Sequence, residues 1–154
     1  MKASVVLSLG LASTALGSVM KRDDVKVLCG QPPDHSDLTL LASLYSYPVG
    51  QLLGAAGGDA VYFEPGPANC KNVACNPSDD GPNVGTTAGV TVCSDDSNEI
   101  PIGKQDMGWF AQRIYEQCKV RIDNVDYLQK GQVFVPGAKW NVILSDLGPD
   151  AQCL

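Results

Sequence analysis

The sequence contains little positive charge and a single histidine. Its 154 residues include 11 lysines and arginines against 17 aspartates and glutamates. Proteins that bind nucleic acid use clustered lysine and arginine to displace the counterions of the phosphate backbone, so we expect no nucleic-acid partner. A serine-hydrolase triad requires a histidine base, yet His35 lies among prolines and aspartates and no Gly-x-Ser-x-Gly motif occurs. The sequence therefore argues against both classes.

Motifs that hold phosphates, metals or glycans are also absent. The chain has neither a Gly-x4-Gly-Lys-Ser/Thr sequence nor a strand-linked Gly-x-Gly-x-x-Gly sequence. Zinc sites need closely spaced cysteine and histidine pairs, whereas Cys70 and Cys75 form one loose pair. The acidic residues do not follow the order of an EF-hand loop, and no Asn-x-Ser/Thr sequon occurs. We expect no cofactor, no metal and no N-linked glycan.

Long apolar runs are confined to the first residues of the chain. Residues 5–16 are apolar or small throughout, and Ala15-Leu16-Gly17 offers the small side chains that a signal peptidase requires. Later runs fall short of the roughly 20 residues that span a bilayer, so we expect a secreted, extracellular protein without a membrane anchor. The predicted segments are a signal peptide over residues 1–17, a prosegment over residues 18–22 that ends at the dibasic processing site Lys21-Arg22, and a single disulfide-rich domain over residues 23–154.

The six cysteines indicate disulfides. Their number is even and an exported protein meets an oxidising compartment, so we expect every cysteine to be paired. Each bridge typically contributes roughly 2–4 kcal/mol to the stability of a small domain. The order of pairing stays open, although we choose Cys153 as the partner of Cys118, which lies on the buried side of a predicted helix. The disulfide residues are Cys29, Cys70, Cys75, Cys93, Cys118 and Cys153.

Two segments have the apolar spacing of amphipathic helices. The first, predicted over residues 38–47, is expected to end or kink at Pro48, because proline disfavours a helical residue before it. Alternatively, Pro48 opens a short second turn that Gly54 terminates. The second helix is predicted over residues 105–119. Its buried stripe comprises Met107, Phe110, Ala111, Ile114 and Cys118.

The remaining apolar segments have the length and composition of short strands. The last two are joined by Pro136-Gly137-Ala138, which leaves no room for a helical crossover. We therefore predict an α+β fold, a two-layer sandwich in which about two helices pack on one face of an antiparallel sheet, stapled by disulfides. A surface loop is expected over residues 76–87. The predicted strands cover residues 25–29, 60–63, 70–75, 89–93, 132–135 and 140–144.

Charge is distributed unevenly along the chain. Cleavage after Arg22 leaves 8 basic and 17 acidic side chains, a net charge of −9, and residues 104–139 contain 6 of those bases. Within this segment Trp109 falls outside the buried stripe of the second helix. Its exposure would provide a contact for a partner, although packing against a loop is the commoner outcome for tryptophan. The candidate partner surface consists of Trp109, Arg113, Lys119 and Arg121.

Three groups of carboxylates are the remaining chemical candidates. Two carboxyl groups that face each other across a groove supply the acid and base of a glycosidase. Aspartates beside serine, asparagine and glycine are far more often turn formers, so we name no catalytic residue. The three groups are Asp79 with Asp80, Asp95 and Asp96 with Glu99, and Asp123 with Asp126.

The carboxy-terminal half resembles a group of fungal proteins in the order of its strands, helix and cysteines. The segments concerned are Val90-Thr91-Val92-Cys93, residues 109–118, Gly131-Gln132-Val133-Phe134, Trp140-Asn141-Val142-Ile143 and the last cysteine, Cys153. Over roughly residues 70–153 this order is similar to that of killer-toxin-like small secreted fungal proteins, including relatives with a necrosis-inducing-factor domain. The resemblance implies a disulfide-stapled α/β sandwich that acts outside the producing cell as a toxin, antimicrobial agent or host-directed effector.

These features predict a secreted, cysteine-rich effector or toxin-like protein of fungal type, with a role in virulence. We expect a monomer that binds an unknown extracellular protein, host protein or cell-wall component and that is not an enzyme. Two alternatives remain. One is a small secreted hydrolase of cell-wall polysaccharide that uses a carboxylate pair, and the other is a wall-associated or protease-inhibiting structural protein.

Overall fold

The computed structural model describes residues 25–30, 41–78, 86–148 and 151–154. The predicted signal peptide and prosegment, including Lys21 and Arg22, lie outside these residues, as do His35, Asp79 and Asp80. The elements, in chain order, are β1 (Val27–Cys29), α1 (Ala42–Leu53), β2 (Ala60–Phe63), β3 (Asn69–Ser78), β4 (Thr86–Ser94), β5 (Ile100–Gly103), α2 (Lys104–Gln117), β6 (Lys119–Ile122), β7 (Val125–Leu128), β8 (Gly131–Phe134) and β9 (Trp140–Asp146).

The largest sheet in the described part of the chain has five antiparallel strands in the order β1-β8-β9-β4-β3. Its side chains alternate between two faces. On one face Val90 lies opposite Leu144, while Val92 and Val133 flank Val142. All five side chains are fully buried, and both helices contact this sheet and each other. The predicted α+β class, with antiparallel sheets and two helices, is confirmed.

Four of the strands form two small sheets that lie apart from the large one. β2 pairs with β5, and β6 pairs with β7. Of these only β2 was expected from the sequence. The β6–β7 turn consists of Asp123 and Asn124, whose φ angles of 49° and 65° are both left-handed. Such a two-residue turn normally carries glycine, so this hairpin lacks the usual sequence signal.

The predicted loop over residues 76–87 is too long. β3 continues to Ser78 and β4 begins at Thr86, so that Asn76 lies opposite Ala88. A backbone ladder needs no apolar side chains, which is why the polar composition of this segment concealed the strand ends. Proline at position 77 is compatible with β3 because β3 is an edge strand.

Three disulfides staple the fold, and their pairing differs from our expectation for Cys118. Cys118, at the end of α2, is bonded to Cys29 of β1 and not to Cys153. Cys153 is bonded to Cys75 of β3, where the tail also donates a hydrogen bond of 3.1 Å from Leu154 N to Asn72 O. The correction has a simple cause, since β1 passes beside α2 while the carboxyl terminus runs back to the opposite edge of the sheet. The third bridge joins Cys70 and Cys93, which lie directly opposite each other on β3 and β4.

The helix over Pro48 is continuous, which corrects the prediction of an end at this residue or a new start there. Proline lacks the N–H that would bond to the carbonyl oxygen of Leu44, four residues earlier. The side chain of Asn76 on β3 replaces that donor, because its Nδ2 donates a hydrogen bond of 3.0 Å to Leu44 O. A tertiary contact thus satisfies the backbone group that proline leaves free.

We expect Asn76→Ala to lower the free energy of unfolding by about 1–2 kcal/mol, because Leu44 O loses its donor. In a Pro48→Ala background a backbone N–H is restored at position 48, so the same Asn76 substitution should cost clearly less. Urea denaturation of the two single variants and the double variant measures this coupling. Strictly additive losses would show that Asn76 does not compensate for Pro48.

The helix α2 confirms the predicted second helix and its buried stripe, and it approaches α1 closely at Gly108. A Cβ atom at this position would lie 2.8 Å from the backbone nitrogen of Leu53 and 3.0 Å from the Cβ atom of Leu52. Both distances are shorter than ordinary van der Waals contact. The two helices therefore reach their spacing because residue 108 has no side chain.

Two helical glycines provide a matched test of this contact. Gly108→Ala should destabilise the fold by about 2 kcal/mol, because the methyl group must push the helices apart. At Gly50 in α1 a Cβ atom would meet no atom within 4 Å, so Gly50→Ala should stabilise by up to about 1 kcal/mol through helix propensity. Urea denaturation compares the two variants, and equal stabilities would contradict the close helix packing.

Tyr45 of α1 is fully buried, and its hydroxyl group has no hydrogen-bond partner among the residues that the structure describes. Burial raises the pKa of Tyr45 above its ordinary value, and the Asp146 carboxylate raises it further. The pKa is thus higher in the folded state than in the unfolded state. This difference in pKa makes its full contribution to the free energy of unfolding below the unfolded pKa of about 10. The contribution is lost as the pH rises beyond that value.

Replacing this residue by phenylalanine removes an unsatisfied polar atom. We expect Tyr45→Phe to leave stability unchanged or to raise it by up to about 1 kcal/mol at neutral pH. Its advantage over the wild type should grow above about pH 10, where an unfolded tyrosine ionises. Guanidinium denaturation at neutral pH and above about pH 10 measures the stability of Tyr45→Phe and wild type, and Tyr62→Phe, at an exposed tyrosine, is the control. A clear loss of stability in Tyr45→Phe would reveal a favourable contact of the hydroxyl group.

Candidate functional site

Trp109 and Arg113 are in contact on the outward side of α2. The Arg113 guanidinium lies 4.9 Å from the centroid of the Trp109 ring. The ring is half-buried, because it meets Phe110 edge-on at 4.9 Å and Phe110 in turn meets Trp140 at 5.4 Å. One side of the Trp109 ring therefore packs on the core, and Arg113 covers another side.

Lys119 and Arg121 alternate with half-buried residues along β6, and both are exposed. The Lys119 amine lies 4.8 Å from the centroid of the Tyr115 ring. Arg121 pairs across the hairpin with Asp126, at 3.7 Å between Nε and Oδ1. These two cations thus belong to one small surface that includes the end of α2.

The four predicted residues form two patches. Residues four positions apart lie on the same side of an α-helix, so Trp109 and Arg113 share one flank of α2. Tyr115, which carries Lys119, is two positions from Arg113 and therefore lies on the other flank. Glu116 is exposed between them and forms an ion pair of 3.9 Å with Arg113. The structure brings together the residues within each pair but does not join the pairs into one surface.

The carboxylates of the Asp95 group are used in a turn. Asp95 accepts a hydrogen bond of 2.7 Å from the backbone N–H of Ala68. Asp96 accepts one of 3.0 Å from the backbone N–H of Asn98, which holds the pKa of Asp96 below its ordinary value. Both aspartates therefore stabilise backbone conformation, as the turn-former interpretation predicts. Asp123 occupies the β6–β7 turn, and Asp126 faces Arg121.

A pair of carboxylates that the sequence did not indicate lies beside the start of α2. Asp59 and Asp106 line a cavity of about 250 Å³ together with Gly103 and Gln105. Asp59 also holds the helix start, because its carbonyl oxygen accepts a hydrogen bond of 2.9 Å from the backbone N–H of Lys104. The two residues are 47 positions apart in the sequence, and spacing alone gives no signal for such a pair.

All six cysteines are in disulfides. Among the described residues no three side chains of histidine, cysteine, aspartate or glutamate are grouped to hold a metal ion. The described helices include none with the length and apolar character needed to cross a membrane.

Comparison with known proteins identifies no relative. No protein family, no curated protein and no solved structure matches the chain. The resemblance to killer-toxin-like proteins therefore stays a prediction.

Proposed function

We propose that this chain is a secreted binding protein of effector or toxin type that contacts an extracellular or host partner through the outward side of α2. The observation that carries the proposal is the contact between Arg113 and Trp109. Tryptophan and arginine are the residues that most often dominate the energy of protein interfaces. Here they are already in contact before any partner arrives.

The surroundings of Trp109 lower the cost of binding. An interface side chain that must be immobilised typically costs about 0.5–1.5 kcal/mol. Trp109 is held edge-on by Phe110, which itself rests on Trp140, so little freedom of the ring remains to be lost. A half-buried ring with an arginine over it offers both apolar area and positive charge. A partner with an acidic or aromatic patch has the complementary chemistry.

The covalent framework supports an extracellular role. Three bridges hold the strands, the end of α2 and the carboxyl-terminal tail together, and such bridges persist in oxidising compartments. The predicted signal peptide and the processing site at Lys21-Arg22 lead to the same location. In this proposal the disulfides maintain the scaffold, and the surface side chains perform recognition.

The test is a comparison of wild type with Arg113→Glu in two assays, infiltration into host tissue and addition to microbial cultures. The mature wild-type protein should cause a response in one of them, and Arg113→Glu should reduce it at least about tenfold, because charge reversal at the centre of an interface costs more than about 1.4 kcal/mol. Lys139→Glu, at an exposed lysine outside α2, is the matched control and should keep full activity.

Three outcomes would contradict the proposal. The first is that the wild type causes no response in either assay, and the second is that Arg113→Glu is as active as the control variant. The third is that the response requires hydrolysis. The last case is recognised if the wild type releases sugars from cell-wall polysaccharide and Asp106→Asn, at the cavity beside α2, abolishes that release. Circular dichroism and the absence of free thiols establish that each variant is folded.

A further inference from the structure

The five-stranded sheet has a second face, which points away from the helices. Gly131 and Val133 of β8 face the helices, since a Cβ atom at Gly131 would meet Ile114 of α2 and Val133 is fully buried. Alternation along the strand therefore turns Gln132 and Phe134 to the other side. Register places Leu28 of β1 beside Gln132 on this side. We call the side that carries Leu28, Gln132 and Phe134 the outer face.

Two large apolar side chains of the outer face are exposed. Leu28 exposes 42% of its surface and Phe134 exposes 56%. They lie on adjacent strands of one sheet, two residues apart in register. Exposed apolar side chains that adjoin each other on a sheet can form part of an interaction site.

A small cavity lies beside Leu28. It has a volume of about 220 Å³ and opens where β1 and β8 leave the sheet, at Gly30 and Lys130. Gly30 has no side chain to fill it. Pockets for small-molecule ligands usually measure roughly 300–1,000 Å³, so this cavity has the size for one inserted side chain of a larger partner.

The charge of the outer face is opposite to that of the whole protein. Lys130 lines the cavity, and Lys26 precedes β1 on the same side as Leu28; both lysines are exposed. None of the described strand residues that alternate onto this face is acidic, although acids outnumber bases in the chain by 17 to 11. Electrostatic complementarity therefore favours an acidic partner at this surface.

The edge of the sheet at β1 is arranged to accept an additional strand. Gly30 N donates a hydrogen bond of 2.6 Å to Lys130 O, which continues the β1–β8 ladder by one residue. In an antiparallel ladder alternate residues bond inward, so the backbone groups of Val27 and Cys29 point away from β8. The bridge from Cys29 to Cys118 holds this edge in place.

We propose that the outer face at β1 and β8 is a docking site for an extended acidic segment of a partner protein. The segment pairs with the edge of β1 and places apolar side chains on Leu28 and Phe134. Its carboxylates lie beside Lys26 and Lys130. The inference rests on the proposed role of this chain as a binding protein, but it uses a surface separate from α2.

Fluorescence anisotropy with a short labelled peptide tests this docking site; its every second residue is leucine or glutamate in turn, with threonine between them, so that leucine and glutamate share one face of the extended peptide. The mature protein should bind it, and binding should weaken as salt is added. Phe134→Ser and Lys130→Glu should each weaken binding at least about tenfold, the effect of losing a central interface contact. Tyr62→Ser is the matched control, because Tyr62 of β2 is as exposed as Phe134, at 59%, and lies on another sheet.

The controls separate this proposal from the proposed function. Arg113→Glu should bind the peptide like wild type. If this variant loses the response in tissue but still binds the peptide, the loss concerns the surface on α2 and not the docking site. The docking site is wrong if the peptide fails to bind. It is also wrong if a leucine and lysine peptide binds equally well, or if Tyr62→Ser weakens binding as much as Phe134→Ser. Amide NMR shifts at Val27 and Cys29 on titration provide a second readout that needs no variant.

Discussion

The bridge between Cys29 and Cys118 is the constraint that joins the edge of the sheet at β1 to the end of α2. It closes a loop of 89 residues, for which restriction of the unfolded chain contributes about 4.6 kcal/mol. β1 has only three residues, and so short a strand has few ladder bonds to hold it at the sheet edge. The same bridge fixes the end of α2, from which the chain turns directly into β6 with Lys119 and Arg121. One covalent bond therefore positions the sheet edge and the cationic hairpin.

Small residues at close contacts allow the interior to pack, and one polar side chain replaces a missing backbone hydrogen-bond donor. Gly108 permits the approach of the two helices, and Gly131 leaves room for Ile114 and the Cys118 sulfur against β8. Pro48 would leave a carbonyl group without a donor inside α1, and Asn76 provides it from the neighbouring strand. These contacts join α1, α2 and the sheet into one packed core.

Amphipathic periodicity predicted the helix α2 almost to the residue, because burial of a stripe is a local property of the sequence. Alternating and β-branched residues predicted the central strands for the same reason. The prediction failed where a partner distant in sequence decides the outcome. Pro48 indicated a helix end until Asn76 supplied a donor, and Cys118 had no local signal that pointed to Cys29. Of the candidate partner surface, the contact between Trp109 and Arg113 follows from helical spacing, whereas the β6–β7 hairpin that positions Lys119 and Arg121 had no sequence signal.

The sequence by itself determined the α+β class, the presence of disulfides and the excess of negative charge, since each of these follows from composition and local periodicity. Tertiary structure alone decided which cysteines pair, which sheet face the helices cover and which carboxylates share a cavity. Leu28 and Phe134 illustrate the difference. Strand alternation places each of them on a face, but only the packing of α1 and α2 on the opposite face leaves them exposed. The physical reason is that burial and pairing are relations between segments distant in sequence.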